Sequence, residues 1–328
     1  MDGIILCNKP KGITSNKIAR NISKKFNIKV GNTGILDFAA EGLLILVIGK
    51  ATKFTSYFQN LDKEYIAVGE LGKLTDTYDI NGDIIKETKV NIKKEKLNEI
   101  IKNFEGDYKM VPPPYSSKKI NGKRAYKYAL KGNDIELRPV NVKIYKIDIL
   151  EENIPFFKIK VNCSTGTYIR SLIKDIGEKT GCLAYMYSLK RVSIGKFTLS
   201  NSIDYEKIMS LSFEEFSKII INLNDSLYFF PQINILEIET KKFKNGQKIK
   251  IENKIYNNKE TKFNNELNTI DNIKELEDNK YKISSCLKGF ENIKKQQDQL
   301  IKVLDKNNNI IGLGILNDKD EIQPKIVL

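Results

Sequence analysis

The chain has 328 residues, which is longer than one ordinary compact domain, so we expect two domains. Hydrophobic residues make up 41%, and no apolar run approaches the ~18 residues that a membrane-spanning helix needs. The formal charge of +14 suits a polyanionic partner, but a genome-wide bias towards Lys, Ile and Asn would also produce it, so both explanations stay open. The absence of histidine excludes any catalytic scheme that depends on an imidazole.

The cysteines and the N terminus point to a cytoplasmic protein. Cys7, Cys163, Cys182 and Cys286 are widely spaced and form no CxxC pair. This spacing predicts buried, reduced thiols and argues against a zinc site. The first residues, MDGIILCNKPKGITS, lack a basic region followed by a long apolar run, so we expect no signal peptide.

Short apolar or alternating runs predict strands, and a four-residue spacing of apolar side chains predicts helices. The pattern first predicts a strand at 3–8 and then a helix capped by Ser15, with Ile18, Ile22 and Phe26 on one face. Further along the chain it predicts strands at 43–49, 64–72, 137–150 and 155–163, helices at 51–60, 92–104 and 168–180, and one or two strands up to 199. No regular βαβ rhythm or glycine-rich phosphate loop occurs. The expected fold class is therefore α+β, with a mostly antiparallel central sheet flanked by helices.

The character of the sequence changes at about residue 230. The segments KFKNGQKIKI (242–251) and LIKVLDKNNNIIGLGIL (300–316) predict strands of a small β domain. Between them, residues 253–298 are rich in Lys, Asn and Glu, which indicates an insertion. We therefore expect one domain over 1–229 and a smaller β-rich domain over 230–328.

Three segments carry candidate chemistry. Asp37 lies in GNTGILDFAAEGLL (31–44), where glycines on both sides predict a loop that could hold a carboxylate at a cleft; an ordinary Asx-turn is the alternative. Arg170 begins a helix in CSTGTYIRSLIKDIGEKTGC (163–182) and could pair with a loop carboxylate, or simply reach solvent. Tyr65 begins a strand and could stack on a base or fill the core.

These three segments, in this order, resemble the TruB-type tRNA pseudouridine synthases. CNKPKGITSNK (7–17) is similar to the opening motif of that family, VPPPYSSKKINGKRAYKYALKG (111–132) to its proline-proline-tyrosine-serine motif, and YSLKRVSIGKFTL (187–199) to its leucine-arginine segment. The last residues, 307–328, resemble the end of the small RNA-binding PUA-type domain found in the family. The resemblance covers residues 1–200 and 300–328.

The resemblance implies a pseudouridine-synthase fold with a C-terminal PUA-like domain. It also implies that uridine 55 in the T-loop of tRNA is isomerised without cofactor or metal: the N-glycosidic bond breaks, the uracil rotates, and C5 joins the sugar. Asp37 would be the catalytic aspartate, Arg170 its partner, and Tyr65 the residue that stacks on the flipped uracil. Whether the aspartate attacks the base or the sugar, or removes a proton, stays open.

The resemblance further implies residues that bind the substrate. Those of the pocket are Lys9, Asn32, Tyr168 and Leu189. The candidates for the RNA backbone are Lys118, Lys119, Lys123 and Arg124, with solvated surface charge as the alternative. We expect the partner to be the T-stem-loop of tRNA, and the protein to be a cytoplasmic monomer that needs no protein partner and no membrane.

Three positions depart from the family pattern, which has histidine at Asn32, proline at Phe38 and threonine at Glu41. Asn32 can still form hydrogen bonds but cannot stack, and Glu41 adds a negative charge close to Asp37. An alternative function is therefore a tRNA-binding or folding-assistance protein with a degenerate synthase site. A guide-RNA-dependent synthase that works with partner proteins is a third hypothesis, against which the single-chain arrangement argues.

Overall fold

The computed structural model describes residues 1–116, 137–251, 300–317 and 319–328, together with the backbone of 119–120 and 123–124. Lys118, Cys286 and the predicted insertion at 253–298 lie outside the described residues. Contacts divide the chain into two compact units: a larger one of Leu6–Leu46 and Phe54–Phe213, and a smaller one of Met1–Ile5, Val47–Lys53 and Glu214–Leu328. The domain boundary at 229/230 stays a prediction.

Up to residue 213 the chain interleaves strands with helices. Strands β1 to β14 are Gly3–Lys9, Val30–Asn32, Glu41–Ile48, Lys63–Leu71, Lys73–Thr75, Ile84–Glu87, Gly106–Met110, Lys119–Ile120, Lys123–Arg124, Val140–Asn153, Phe156–Cys163, Ala184–Ile194, Phe197–Thr198 and Ile203–Asp204. Helices α1 to α5 are Ser15–Phe26, Thr55–Gln59, Lys94–Lys102, Ile169–Thr180 and Tyr205–Ser210, and two 3-10 segments are Gly49–Phe54 and Leu199–Asn201. Among the helices of the described ranges, none has both the length and the apolarity needed to cross a bilayer.

The central sheet has the strand order β14-β1-β3-β12-β4-β11-β10-β7, with β2 paired to β3 and β13 to β12. Every neighbouring pair from β12 to β7 is antiparallel. The pairs β1–β14 and β3–β12 are parallel. The expectation of an α+β fold with a mostly antiparallel sheet is confirmed.

Strand β4 lies in the middle of this sheet and shows why these residues form a strand. Its alternate side chains Tyr65, Ala67 and Leu71 are buried in one hydrophobic cluster. Because successive side chains of a strand point to opposite faces, this period of two buries one face completely. Helix α4 covers that face with Leu172 and Ile173, which are fully buried in the same cluster.

Helix α1 is capped differently from the prediction. Thr14 is the N-cap, and its hydroxyl accepts a hydrogen bond from the amide of Lys17 at 3.2 Å. Ser15 is already the first helical residue, and its Oγ accepts a hydrogen bond from the amide of Leu36 at 3.0 Å. The prediction of a Ser15 cap was wrong because a tertiary contact uses this hydroxyl. The predicted buried face of the helix is confirmed.

The smaller unit has its own sheet and core. Its strands β15 to β20 are Ile221–Asn222, Gln232–Asn234, Ile249–Lys250, Leu300–Leu304, Ile310–Leu316 and Glu321–Val327, and helices α6 to α8 are Phe213–Lys218, Leu223–Ser226 and Glu237–Lys244. Five of the strands form a sheet in the order β16-β18-β19-β20-β17. Strands predicted over 300–316 are confirmed.

The prediction of a strand starting at Lys242 was wrong. Residues up to Lys244 belong to α8, whose start is stabilised by a hydrogen bond from the Leu236 amide to Glu239 at 2.8 Å. The helix places Phe243 in the core of the smaller unit, where it is fully buried. Only Ile249–Lys250 of the predicted segment pairs as a strand.

Candidate active site

The loop that carries Asp37 connects β2 to β3 and is fastened by groups from another part of the chain. The Leu36 amide donates to Ser15 Oγ at 3.0 Å, and the carbonyl of Phe38 accepts from the Gly12 amide at 2.9 Å. The backbone is thus held on both sides of Asp37. A carboxylate on such a loop has a defined position before any substrate binds.

Gly42 allows the strand after this loop to come close to β12. Its φ is +107°, and a Cβ at this position would lie 2.4 Å from the carbonyl oxygen of Arg191. A side chain here would therefore need a strained backbone and a shift of β12. The close approach brings the Asp37 loop against the strand that also carries Leu189.

Asp37 and Arg170 form an ion pair, although they are far apart in the sequence. Arg170 Nε lies 3.0 Å from Asp37 Oδ2, and Arg170 Nη2 donates to Oδ1 at 3.2 Å. The Arg170 side chain is 5% exposed, whereas that of Asp37 is 35% exposed. The first turn of α4 thus places a buried cation beneath a carboxylate that solvent can reach.

Three other groups fix the position of the Arg170 guanidinium. Its Nη1 donates to the carbonyl of Thr77 at 3.0 Å, and its Nη2 to the carbonyl of Tyr115 at 2.8 Å. A second carboxylate, that of Asp79, lies 3.6 Å from Nη1. Asp79 is itself oriented by the hydroxyl of Thr77 at 2.8 Å and the amide of Asn81 at 2.9 Å.

Asp79 is a residue that the sequence analysis did not single out. Its segment, TDTYDINGD (75–83), resembles a calcium-binding loop in its spacing of acids but lacks the closing glutamate. The structure instead joins this segment to β12: the Tyr78 carbonyl accepts from the Met186 amide at 3.0 Å. The sequence feature that could have drawn attention to Asp79 is a cluster of acidic residues that does not fit a metal-binding pattern.

The surroundings of Asp37 push its pKa in opposite directions. Burial raises the pKa of the carboxyl above its ordinary value, and the charge of Asp79 adds to this rise. The charges of Arg170 and Lys9 hold the pKa down. The net direction is upward, which makes the ionised carboxylate a stronger base and nucleophile than a free aspartate.

Arg191 is a second buried cation that the sequence analysis did not identify. Its Nε donates to the carbonyl of Leu43 at 2.7 Å and its Nη2 to that of Gly34 at 3.2 Å. It also donates to the hydroxyl of Tyr65, its neighbour across β4 and β12. Burial raises the pKa of Tyr65, so its hydroxyl stays protonated. Arg191 therefore ties Tyr65 to the start of the Asp37 loop.

Lys9 lies beneath the loop and is fully buried. Its Nζ donates to the carbonyl of Ala40 at 2.5 Å and to that of Pro10 at 3.0 Å. Burial lowers the pKa of Lys9 to about 8, and the charge of Asp37 opposes this shift. The structure thus places a second cation close enough to Asp37 for the two charges to interact.

The remaining predicted pocket residues contact parts of the larger unit other than the Asp37–Arg170 ion pair. Leu189 is 7% exposed and belongs to the same hydrophobic cluster as Tyr65. Tyr168 immediately precedes α4, is half-buried, and donates its amide to the sulfur of Met110 at 3.2 Å. Asn32 is half-buried on β2, and its side chain donates to Asn16 Oδ1 at 2.9 Å.

The two other departures from the family pattern have different surroundings. Glu41 lies 3.5 Å from Lys190, which offsets part of its charge. The carboxylate whose charge raises the pKa of Asp37 further is that of Asp79. Phe38 is 54% exposed, so it presents an apolar ring beside Asp37.

The predicted RNA-backbone residues lie in a segment that the structure describes only in part. The backbone of Lys119 pairs with Arg124, and that of Ile120 with Lys123, so three of the four cations belong to one short hairpin. Lys118 lies outside the described residues, and the side chains of the hairpin are not described. Their role stays a prediction.

Comparison with solved structures identifies the fold. The chain matches one in the crystal structure of a Cbf5-Nop10-Gar1 complex, with a TM-score of 0.66, 21% identity, and coverage of 99% of this chain and 84% of that chain. It also matches one in the structure of an H/ACA RNP bound to a substrate RNA containing 2'-deoxyuridine, with a TM-score of 0.64, 20% identity, and coverage of 99% and 84%. At this identity the matches show a shared fold.

Comparison of sequences identifies the class and the family. Residues 20–169 match the model of the TruB family pseudouridylate synthase N-terminal domain, and residues 170–222 match that of the tRNA pseudouridylate synthase B C-terminal domain. With the fold and the Asp37–Arg170 site, these matches define a pseudouridylate synthase.

The chain is similar in sequence to known proteins over most of its length. It is 42% identical to tRNA pseudouridine synthase B of Clostridium kluyveri over 253 residues, which are 77% of this chain and 86% of the relative. It is 41% identical to the protein of the same name from Francisella tularensis over 243 residues, 73% of this chain and 80% of the relative. The chain belongs to the TruB family of pseudouridine synthases.

Proposed function

We propose that this chain converts uridine to pseudouridine in tRNA, at position 55 in the T-loop, with Asp37 as its catalytic residue. The relatives that it resembles over most of its length are named tRNA pseudouridine synthase B. The observation that carries the proposal is the ion pair between Asp37 and the buried Arg170, because it presents an oriented carboxylate at a solvent-accessible site.

The reaction is an isomerisation that needs no net exchange of electrons or groups. The bond between uracil N1 and the sugar C1′ breaks, the base turns, and a bond forms between C5 and C1′. The proton released from C5 is balanced by the proton that N1 gains. Because substrate and product contain the same atoms in the same oxidation state, we propose that the enzyme acts without a cofactor or metal.

Asp37 must be ionised to act in this reaction, whether it attacks the base or the sugar or removes a proton. Burial works against ionisation, and the guanidinium of Arg170 works for it. The carbonyls of Thr77 and Tyr115 hold that guanidinium in place, so its alignment with Asp37 does not depend on the substrate. The site is thereby preorganised for a reaction at the exposed carboxylate.

Tyr65 and Leu189 would receive the base. A uridine in a folded loop must be flipped out, which costs a few kcal/mol, before its glycosidic bond reaches Asp37. Stacking on an aromatic ring returns roughly 1–3 kcal/mol. We propose Tyr65 as that ring, held by its hydrogen bond with Arg191, and Leu189 as an apolar wall from the same cluster. Lys9 would support the loop from below.

Other features of the proposal concern the whole protein. We propose that residues 1–229 form the catalytic domain and 230–328 a PUA-like RNA-binding domain, in which the five-stranded sheet supports a β-rich assignment. Asn32, Tyr168 and the four cations from Lys118 to Arg124 would contact the RNA. We also propose that the protein works in the cytoplasm as a monomer without a protein partner.

The test is mass mapping of pseudouridine in an unmodified tRNA incubated with the purified chain or with Asp37→Asn. The wild type is expected to modify position 55 alone, and the variant is expected to bind the same RNA without converting it. Near-normal turnover by Asp37→Asn would contradict the assignment of Asp37. Tight binding of the T-loop by the wild type without product under single-turnover conditions would favour a folding-assistance protein.

A further inference from the structure

The N-terminal segment of the chain is positive without any compensating acid. Residues 3–36 contain no aspartate or glutamate, whereas the whole chain has 41 acidic residues against 55 basic ones. The cations of this segment are Lys9, Lys11, Lys17, Arg20, Lys24, Lys25 and Lys29. A general bias towards lysine explains the cations but not the absence of acids over this length.

The structure separates these cations by what they contact. Lys25 donates to the carbonyl of Met209. Lys17, Arg20 and Lys24 are exposed on α1, and within the described parts of the chain no carboxylate pairs with them. Because residues three and four apart are neighbours on a helix, these three side chains form one row, the basic stripe.

Other helices of the protein neutralise their lysines locally. In α3, Lys96 lies 2.9 Å from Glu99, and in α4, Lys174 lies 2.7 Å from Glu178. The basic stripe has the opposite arrangement, since like charges occupy positions three and four residues apart. Such spacing destabilises a helix. Because no acidic side chain compensates these charges, the surface has a positive electrostatic potential. An anionic partner would reduce the repulsion between the three cations.

The stripe begins at the Asp37 loop. Ser15, in the first turn of α1, accepts a hydrogen bond from the amide of Leu36, and Asn16 accepts one from the side chain of Asn32 at 2.9 Å. From there the stripe extends away from the loop for about 10 Å, given a rise of 1.5 Å per residue. An RNA whose loop enters the site could therefore lie along α1.

We propose that the basic stripe binds the phosphate backbone of the tRNA stem next to the loop that enters the site. This inference rests on the proposed function, because it takes its ligand from it. Lysine and arginine contacts to phosphates position a nucleic acid without reading its sequence. The stripe therefore contributes to affinity and alignment, and the chemical step stays with Asp37 and its neighbours.

The test replaces the three cations together by glutamine, as Lys17→Gln, Arg20→Gln and Lys24→Gln. Glutamine keeps the helix propensity and removes the mutual repulsion, so the melting temperature is expected to stay the same or rise. The matched control removes three exposed lysines elsewhere, as Lys89→Gln, Lys93→Gln and Lys94→Gln. Among the described residues, no carboxylate pairs with these lysines either.

Binding is measured with unmodified tRNA over a range of salt concentrations. The stripe variant is expected to raise Kd about tenfold or more and to reduce the slope of log K against log salt by about 2–3, at roughly 0.7–0.9 per lost contact. Its single-turnover rate at saturating tRNA is expected to equal that of the wild type. The control variant is expected to leave both Kd and the slope unchanged.

The outcomes separate this inference from the proposed function. A stripe variant with the Kd and salt slope of the wild type would overturn the inference about the stripe, even if the wild type makes pseudouridine. An equal loss of affinity in the control variant would also overturn it, because the effect would then be one of total charge. A wild type that makes no pseudouridine but loses tRNA affinity in the stripe variant alone would overturn the proposed function and support the stripe.

Discussion

The carboxylate of Asp79 lies 3.6 Å from the same guanidinium of Arg170 that pairs with Asp37. One buried cation is therefore shared by two acids, of which Asp79 is almost fully buried and Asp37 is 35% exposed. This sharing has two opposite effects on Asp37. Asp79 helps to fix the direction of the guanidinium, and its charge raises the pKa of Asp37.

Asp79→Asn should separate these two effects. Without the second carboxylate we expect the guanidinium to be less well aligned, and the plateau of the single-turnover rate to fall about 10- to 100-fold. Loss of the negative charge should move the acid limb of the pH–rate profile to lower pH. The control is Asp83→Asn, an exposed acid of the same segment, which should change neither quantity. An unchanged plateau in Asp79→Asn would rule out its positioning role.

The pH dependence of the reaction should follow Asp37. Its pKa is raised in the folded protein, so the ionised form is lost as pH falls through a value above the ordinary ~3.9 of aspartate. The single-turnover rate should fall along the same limb. Because the charge of Lys9 holds this pKa down, Lys9→Met should move the limb to higher pH. A shift to lower pH would contradict this account.

Asp37→Asn should be more stable than the wild type at neutral pH. A group whose pKa is raised by folding contributes stability below its unfolded pKa and loses it as pH rises through the folded pKa. At pH 7 the ionised Asp37 therefore works against the folded state, and solvent at its partly exposed carboxylate reduces the size of this effect. Chemical unfolding should give a higher free energy of unfolding for Asp37→Asn than for the wild type at pH 7, and no such difference at pH 4. A destabilised variant at pH 7 would mean that the pair with Arg170 is net stabilising.

Gly42→Ala tests the close approach of the Asp37 loop to β12. Gly106 has the same φ of +107° but nothing within 4 Å of an added Cβ, so Gly106→Ala measures the backbone strain alone, about 1–2 kcal/mol. Gly42→Ala should lose about 2 kcal/mol more, because its Cβ meets the Arg191 carbonyl. Denaturant unfolding of both variants measures the difference. Equal losses would show that β12 moves aside freely.

Tyr65 can be divided into its ring and its hydroxyl. Tyr65→Leu should lose the stacking surface and reduce the single-turnover rate at saturating tRNA by about 5- to 160-fold, which corresponds to roughly 1–3 kcal/mol. Tyr65→Phe keeps the ring but leaves Arg191 without one acceptor, so it should retain more activity and lose stability. Equal rates for Leu and Phe would exclude stacking as the role of the ring.

Sequence patterns predicted the longer strands and helices of the larger unit because their buried faces repeat with the period of each element. Short strands such as β2 and β5 were not predicted, and the helix predicted at 51–60 is divided into the 3-10 segment Gly49–Phe54 and the short α2. The site depended on a different kind of information. Local spacing alone favoured an Asx-turn for Asp37 and a solvent-exposed side chain for Arg170. It was the order of several motifs along the chain that linked them, and the structure brings them within 3.0 Å.

The parts that sequence reasoning missed depend on tertiary contacts. Asp79 acquires its role because its segment pairs with Met186 of β12, which places its carboxylate 3.6 Å from Arg170. Arg191 is a buried cation whose acceptors are backbone carbonyls, and these are invisible in a sequence. Ser15 was assigned to a cap because its role as acceptor for Leu36 requires two segments to meet.

The fastening of the Asp37 loop has a consequence for how it moves. The amides of Thr33 and Leu36 are bonded to Ile45 and Ser15, and both residues are buried. Opening the loop therefore requires disruption of β3 or α1, not a hinge within the loop. Its amide protons should exchange with solvent on the timescale of unfolding of the surrounding sheet, so the catalytic segment would belong to the slowest-exchanging part of the protein.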